Sequence, residues 1–464
     1  MRPAEAHDDA VAALQASYAA LAPGSQARLA KRSSNLFRPR GAPSSPGLDV
    51  TRLDGVLSVD ADARTADVQG MCTYEHLVDA TLGHGLMPLV VPQLKTITLG
   101  GAVTGLGIES SSFQHGLPHE SVLEMDVLTG DGRVVTASPH NHADLYRAFP
   151  NSYGSLGYAV RLRIELQPVG RYVALRHVRF TDLAEVAAAV ESITAKREWD
   201  GEQVDFVDGV VFEPAEAYLT LGRFVDRVAD SGLLATSDYT DRQIYYRSLR
   251  ERSRDVLTVR DYLWRWDTDW FWCSRAFGAQ HPVVRRWWPA RYRRSDVYHR
   301  IVAWENRFGA LRRVEAWRGR PARERVVQDV EIPVDRTASF LHWFDAHVGM
   351  RPVWLCPLRL RTPDGPGTAT HWPLYPLRPD LTYVNVGFWG TVAIAPGRAD
   401  GDVNADIEAA VASHGGHKSL YSDAYYDEDR FYAIYGGSTY HAVKSKYDPD
   451  HRLTELYDKA VRRR

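Results

Sequence analysis

TLGGAVTGLGIESSSFQHG, residues 98–116, is the stretch whose reading decides the fold. Thr98 heads it, and glycines stand at 100, 101, 105 and 107. Glycine lets a backbone take positive φ and come close to a ligand. Thr104, Ser110, Ser111 and Ser112 add hydroxyls, and successive N–H groups can form a concavity that holds an anion such as a pyrophosphate. The spacing is neither the GxGxxG of a dinucleotide-binding βαβ unit nor the GxxxxGKS of a phosphate loop. Spacing alone leaves two readings open, a tight turn packed on a sheet and a ligand site. A second glycine turn, Gly154-Ser-Leu-Gly157, runs into a strand through Val160. Two such turns in one unit favour the ligand site.

Outward from this stretch, residues 46–166 have the punctuation of an α/β unit. LDVTRLDGVLSVDADARTADVQG, 48–70, alternates apolar and polar residues and breaks at Asp54-Gly55 and Asp60–Ala63, which predicts short strands. Residues 73–84 have apolar positions at helical spacing, with Thr73 as N-cap and Gly83 and Gly85 as stops. MPLVVP, 87–92, VLEMDVLTG, 122–130, and RVVTAS, 133–138, read as strands. From about 170 the order is strand, helix (181–196) and hairpin (205–225), with further strands at 326–334, 352–361 and 382–390 and a helix at 402–413. That order describes an α+β domain with its own sheet. Residues 241–320 give no clear assignment. Residues 8–21 read as an amphipathic helix with an acidic first turn.

Composition narrows the function. Lys+Arg is 56 against Asp+Glu at 58, so the net charge of -2 removes a global electrostatic case for nucleic acid. The three cysteines, Cys72, Cys273 and Cys356, are too few and too far apart for a disulfide framework or a metal site, and they imply a reducing cytoplasmic setting. No apolar run reaches the length of a membrane span, and the first thirty residues have no signal-peptide pattern.

The three runs TLGGAVTGLGIESSSFQHGL, EMDVLTGDGRVV and YRAFPNSYGSLGYAVRLRIEL, in this order, resemble the FAD domain of the vanillyl-alcohol oxidase and para-cresol methylhydroxylase superfamily. The closing KSKYDPDHRL is similar to that superfamily's last segment. GIESSS (107–112), VVQDVEIPV (326–334), PVWLCP (352–357), LYSDAYYDEDRFY (420–432) and GGSTYH (436–441) resemble the 24-dehydrocholesterol reductase family, the Δ24-sterol reductases, and the likeness runs from about 48 to 461. The resemblance implies an α+β fold. A two-part FAD-binding domain of the vanillyl-alcohol oxidase type carries an inserted substrate domain before a C-terminal return segment. The expected boundaries are 1–30 for an N-terminal helical segment, 31–169 for the FAD domain, 170–419 for the cap and 420–464 for the return. It further implies FAD, NADPH as electron donor, and reduction of an isolated C=C bond in a sterol or isoprenoid side chain. The expected cofactor contacts are Ser33, Ser34, Asn35, Thr98, Gly100, Gly101, Thr104, Gly105, Gly107, Ser110, Ser111, Gly154, Gly157 and Val160. KRSSNLFRPRG, 31–41, replaces the usual flavin-linking loop and has no His or Cys, so the flavin is expected to be noncovalent.

Alkene reduction needs hydride from reduced flavin N5 and a proton from a positioned acid. Tyr262, Arg265, Asp423, Tyr425, Tyr440, His441 and Lys446 are the candidates, each with an ordinary structural role as its alternative. Thirteen arginines and five acids crowd residues 242–294, and six tryptophans fall between 264 and 288. Ion pairs with Arg stacked on Trp are one reading of this segment. A membrane-surface patch at the inner membrane face is a second, and a pocket for an anionic lipid a third. The segment DYLWRWDTDWFWCSR, 261–275, departs from the family pattern at several places, which leaves an FAD-dependent alcohol or lipid-sugar oxidase or dehydrogenase as the alternative function. Family members from eukaryotes have an N-terminal membrane anchor that this sequence is expected to lack.

Overall fold

Two antiparallel sheets, laid down one after the other along the chain, organise the computed structural model. It describes all residues except 1–2, 32–36, 39–46, 242, 309–316, 318, 320, 362–371 and 463–464. The first sheet uses β1 (Val56–Asp60), β2 (Thr65–Gln69), β3 (Leu86–Pro88), β4 (Val122–Leu128), β5 (Val134–Ala137) and β6 (Tyr158–Pro168). Their order is β1-β2-β6-β4-β5, with β3 also on β6. β6 is the spine because its buried and half-exposed residues alternate, as a strand covered on one face requires. Arg161 on β6 reaches Asp67 on β2 (2.5 Å) and Glu124 and Asp126 on β4 (2.5 and 2.6 Å), so one guanidinium ties three strands.

The chain leaves this sheet at Pro168 and enters the second at β7 (Tyr172–Phe180). A two-residue hairpin, β8 (Glu198–Trp199) with β9 (Glu202–Gln203), stands apart. The second sheet adds β10 (Phe206–Glu213), β11 (Glu216–Val225), β12 (Arg254–Thr258), β13 (Arg323–Pro333), β14 (Val353–Leu358), β15 (Tyr383–Ala393) and β16 (His417–Lys418). The order is β12-β7-β11-β10-β14-β15-β13-β16. Helices Leu183–Lys196, Val334–His347 and Asp402–Ser413 cover its outer face, where Val326, Val330 and Ile332 meet Leu183, Val186 and Phe340. The inner face shares one apolar cluster with the first sheet, running from Val68 and Leu162 to Phe206, Trp354 and Trp389. Among the described residues no helix is long and apolar enough to cross a membrane.

Local chemistry explains where elements start. Thr73 accepts a hydrogen bond from the His76 N–H (3.3 Å) and opens Tyr74–Leu82; Asp182 accepts from the Ala184 N–H (2.8 Å) and opens Leu183–Lys196. Two expectations change. MPLVVP pairs only over Leu86–Pro88, because Pro88 and Pro92 have no N–H to give a ladder. The glycine stretch is largely helical, with turns at Leu99–Gly105 and Ser112–His115, because Thr98 caps the first by accepting from the Gly101 N–H (3.2 Å).

Candidate functional site

Four distant segments meet at one end of the first sheet. Lys31 donates to Thr98 Oγ1 (3.1 Å) at the cap of Leu99–Gly105. The second glycine turn folds against that helix: the Tyr153 N–H donates to Thr104 O (3.0 Å) and the Tyr153 hydroxyl to Gly105 O (2.7 Å). Arg38 lies over the Tyr153 ring (4.8 Å) and donates to Leu420 O (2.7 Å), while the Phe37 N–H donates to Tyr421 O (3.1 Å). Lys31, Phe37 and Arg38, both glycine turns and the C-terminal return therefore form one constellation. The glycines make room for the protein itself. A Cβ on Gly100 would lie 2.7 Å from Gly70 O, one on Gly105 3.2 Å from the Tyr153 ring, and one on Gly107 2.8 Å from Pro92. Gly157, at φ +148°, would meet Val127 and Leu128 at 2.5 and 2.8 Å. Gly154 faces the Tyr158 ring, and Val160 O accepts from the Gly70 N–H (3.0 Å). The hydroxyls of Thr104 and Ser111 donate to Gly100 O and Leu89 O (both 2.8 Å). Ser33, Ser34 and Asn35 lie outside the described residues.

The second sheet presents a buried polar row to this constellation. Register places Thr220 on β11 opposite both His177 on β7 and Asp208 on β10. Beyond Asp208, across the β10–β14 pair, Cys356 faces Asn385, Asn385 faces Glu331, and Glu331 faces His417. Every member is buried. Strand alternation puts the row on the same face as Phe206, Val210, Trp354 and Trp389, which belong to the shared cluster. Asp329 stands two residues before Glu331 on that face, beside Asn385 (3.4 Å). Burial raises the Asp329 carboxyl to about 7 and pushes Glu331 well up, although Ser419 donates to Glu331 (2.8 Å).

The glycine stretch ends on this face at Glu109, 3% exposed. Gln93 donates to its Oε1 (2.5 Å), as does the Ser110 N–H (2.6 Å). Glu109 Oε2 and Gln93 Oε1 have no partner among the described residues. Burial raises the Glu109 carboxyl to about 7 against the opposing pull of Arg265. Next to it the Ser110 and Tyr262 hydroxyls share a hydrogen bond (2.9 Å). The Arg265 guanidinium lies over Tyr262 (3.9 Å) and donates to Asp208 (2.8 Å), which also accepts from Trp266 (2.9 Å). Tyr262 and Arg265 thus stand where the glycine stretch meets the second sheet.

The other candidates lie elsewhere. Asp423 pairs with Arg325 (2.9 Å) at the rim, and Tyr425 packs on Gly401. The Tyr440 hydroxyl donates to Glu455 (2.9 Å) behind the second glycine turn. His441 packs on Tyr432 (4.4 Å) at the surface, and Lys446 pairs with Asp144 (2.7 Å) in solvent. The helix Gly437–Tyr447 buries Tyr440, Val443, Lys444 and Tyr447, which leaves His441 and Lys446 on its outer side. Glu109, Gln93, Asp208, Asp329 and Glu331 were not singled out from the sequence. Their only signal was an acid at an inward position of an apolar strand or beside the glycine stretch.

Residues 27–138 match the family described as FAD binding domain. Delta(24)-sterol reductases are similar over most of the chain. The Macaca fascicularis protein is 27% identical over 87% of this chain and 75% of its own length. The Arabidopsis thaliana protein is 24% identical over 90% of this chain and 77% of its own. Cytokinin dehydrogenase 7 of Oryza sativa subsp. japonica is 34% identical over 158 residues, 34% of this chain and 30% of its own. The residues present fit FAD: a capped helix start with a lysine, aromatic walls, and buried orphan polar atoms at Gln93, Glu109, Asn151 and Asn385 that a polar ring edge would satisfy. With its glycine turns facing a lined second sheet, the chain is an FAD-dependent oxidoreductase. Over most of its length it is similar to the Delta(24)-sterol reductases.

Proposed function

We propose that the chain reduces an isolated C=C bond in a sterol or isoprenoid side chain, holding FAD noncovalently and drawing electrons from NADPH. The observation that carries the reading is the extent of the likeness to the Delta(24)-sterol reductases. At 87% of the chain it takes in the second sheet as well as the FAD end. FAD, when bound, supplies the hydride that an unactivated alkene needs. The protein's own residues do the rest. Lys31 and Thr98 would hold the phosphates at the helix start. Tyr153 and Arg38 would fix the turn beneath the ring system. Trp354, Trp389 and the aromatic residues of 262–272 belong to the buried apolar cluster, and they would keep water out and lie against a hydrocarbon chain. The site has an acid to give a proton. No His or Cys occurs in 31–41 to form a covalent flavin link.

The test is anaerobic. Purified protein is reduced with NADPH and mixed with a Δ24-sterol or a prenyl compound, and the flavin band is followed. Its return together with the saturated product supports the reading. A flavin that NADPH leaves oxidised while an alcohol or lipid-linked sugar bleaches it favours the second reading, a dehydrogenase or oxidase. The match of the FAD end to a cytokinin dehydrogenase gives that second reading its footing.

We also place the chain in the cytoplasm, in peripheral contact with the inner membrane face. The structure narrows the surface available for this. Trp264, Trp266, Trp270 and Trp272 are core, and Arg265, Arg285 and Arg293 are buried against Asp208, Asp269 and Asp241. Within 283–292, Val283, Val284, Arg286, Trp287, Arg291 and Tyr292 face outward and bring apolar and basic side chains together.

A further inference from the structure

We propose that Glu109 is the residue that gives the proton to the alkene, and that Gln93 is the residue that positions it; this rests on the reductase reading above. The geometry is that of an acid built for one task. Glu109 leaves the glycine stretch where that stretch touches the second sheet: the Val207 N–H of β10 donates to Ser110 O (2.8 Å). Its Oε1 is fixed by the Gln93 amide and the Ser110 N–H. Its own N–H donates to Ser112 Oγ (3.0 Å). The other oxygen, Oε2, is fully buried and has no partner among the described residues, and so does Gln93 Oε1 beside it. A buried polar atom left unpaired costs stability, and here two such oxygens stand side by side at the end of the glycine stretch.

The surroundings set its charge state. Facing Glu109 are Arg265 and Tyr262 from the turn after β12, Asp208 from β10, Cys356 from β14, and Gln93 from the loop before the glycine helix. Arg265 is already engaged by Asp208, so the cation that would lower the acid is neutralised in part. Burial then keeps the carboxyl protonated up to about pH 7, the range in which a general acid works best. Asp329 is the rival acid. Asn385 donates to it and Tyr421 stands beside it, on the far side of the polar row.

The step balances as follows. One alkene carbon receives a hydride from reduced flavin N5, the other receives the proton on Glu109 Oε2, and the π bond is lost. The two electrons come from the flavin, which is oxidised in exchange. Glu109 regains its proton from solvent, and NADPH restores the flavin.

The experiment compares wild type, Glu109→Gln, Glu109→Asp and Asp329→Asn as FAD holoproteins, in two measurements. The first is a pH titration of the oxidised flavin absorption between pH 5 and 9, which needs no substrate. The expected result is a band shift with a midpoint near pH 7 in wild type and Asp329→Asn that is absent in Glu109→Gln. The second is reoxidation of NADPH-reduced protein by the alkene under anaerobic conditions. Glu109→Gln, once reduced, is expected to be reoxidised by the alkene about 10²–10⁴-fold more slowly than wild type, with Glu109→Asp recovering part of the loss. The wild-type rate should fall above pH 7 and the Glu109→Gln rate should not. A shift that persists in Glu109→Gln, or disappears in Asp329→Asn instead, overturns the proposal. If wild type shows the shift but reduces no alkene, the reductase reading fails, and with it the proton transfer, while the placement of Glu109 beside the ring stands.

Discussion

Asp208 illustrates what a single residue does here. Its carboxylate accepts from Arg265, Trp266 and, at 3.4 Å, Trp354, and it is 1% exposed. Removing one partner of a buried ion pair leaves the other charge uncompensated and costs about 3–5 kcal/mol. Asp208→Ala is therefore expected to lower the unfolding free energy by that amount, read as a lower denaturant midpoint with little change in slope. An unchanged midpoint would show Arg265 to be satisfied by other groups. Tyr262 and Arg265 were named from the sequence as candidates for the proton-delivering group, and they lie beside Glu109 and Asp208. Glu109, Asp208, Asp329 and Glu331 were not. Each is a lone acid, and only strand register reveals that Cys356, Asn385 and Glu331 share a row. His441 and Lys446 looked suitable by chemistry, but helical phase turned them to solvent.

At the scale of elements, the regular pieces were legible wherever alternation or a cap was present. The helix after Asp182, the 205–225 hairpin and the strands at 326–334 and 382–390 all appear as expected. The glycine stretch was harder. Its residues have poor helix propensity, and the Thr98 cap and packing on Gly70 override it. Residues 245–292 gave no period because they fold as short helices, one short strand and turns, with Trp264, Trp266, Trp270 and Trp272 buried among them. Two predictions belong here. Gly157→Ala has both a forbidden φ and a Cβ inside Val127, so it should cost more than the ~1–3 kcal/mol of backbone strain alone and abolish FAD retention. Gly201→Ala, at φ +78° with open space, should cost about 1 kcal/mol and leave the flavin bound. Equal losses would refute the packing argument. The outward patch predicts sedimentation with vesicles containing anionic lipid, weakened by raised salt and lost in the Arg286→Glu/Trp287→Ala/Arg291→Glu variant. Equal binding to neutral vesicles, or no loss in the variant, would remove that surface from the account.

For the whole molecule, buried acids couple stability to pH. Burial raises Glu109 and Asp329 to about 7 and Glu120 to about 8. Each contributes stability that is full below the ordinary carboxylate range and lost as pH rises through the raised value. The buried histidines act in the opposite sense. His119 and His417, held at about 3 by burial, contribute stability that is full above 6.5 and lost as pH falls. Above pH 6.5 only the acids still titrate, so folding stability should decline between about pH 6.5 and 8.5. The decline should shrink in Glu109→Gln and in Asp329→Asn. A flat profile would mean that these carboxyls are solvated. The two-part plan and the cofactor class were legible through the resemblance of the glycine turns and the closing segment to an FAD domain, since the spacing of the glycines alone left a packed turn open. The acid-lined face between the sheets was not, since it joins residues as far apart as Glu109 and Glu331.

The central claim is that two electrons pass from the flavin to an isolated alkene. The direct measurement is anaerobic mixing of the fully reduced protein with a Δ24-sterol, monitored by absorbance and by mass analysis of the product. The account predicts return of the oxidised flavin band with one saturated product per flavin. A band that stays bleached in the presence of every sterol and prenyl alkene tried, and returns only with oxygen or a quinone, would contradict it.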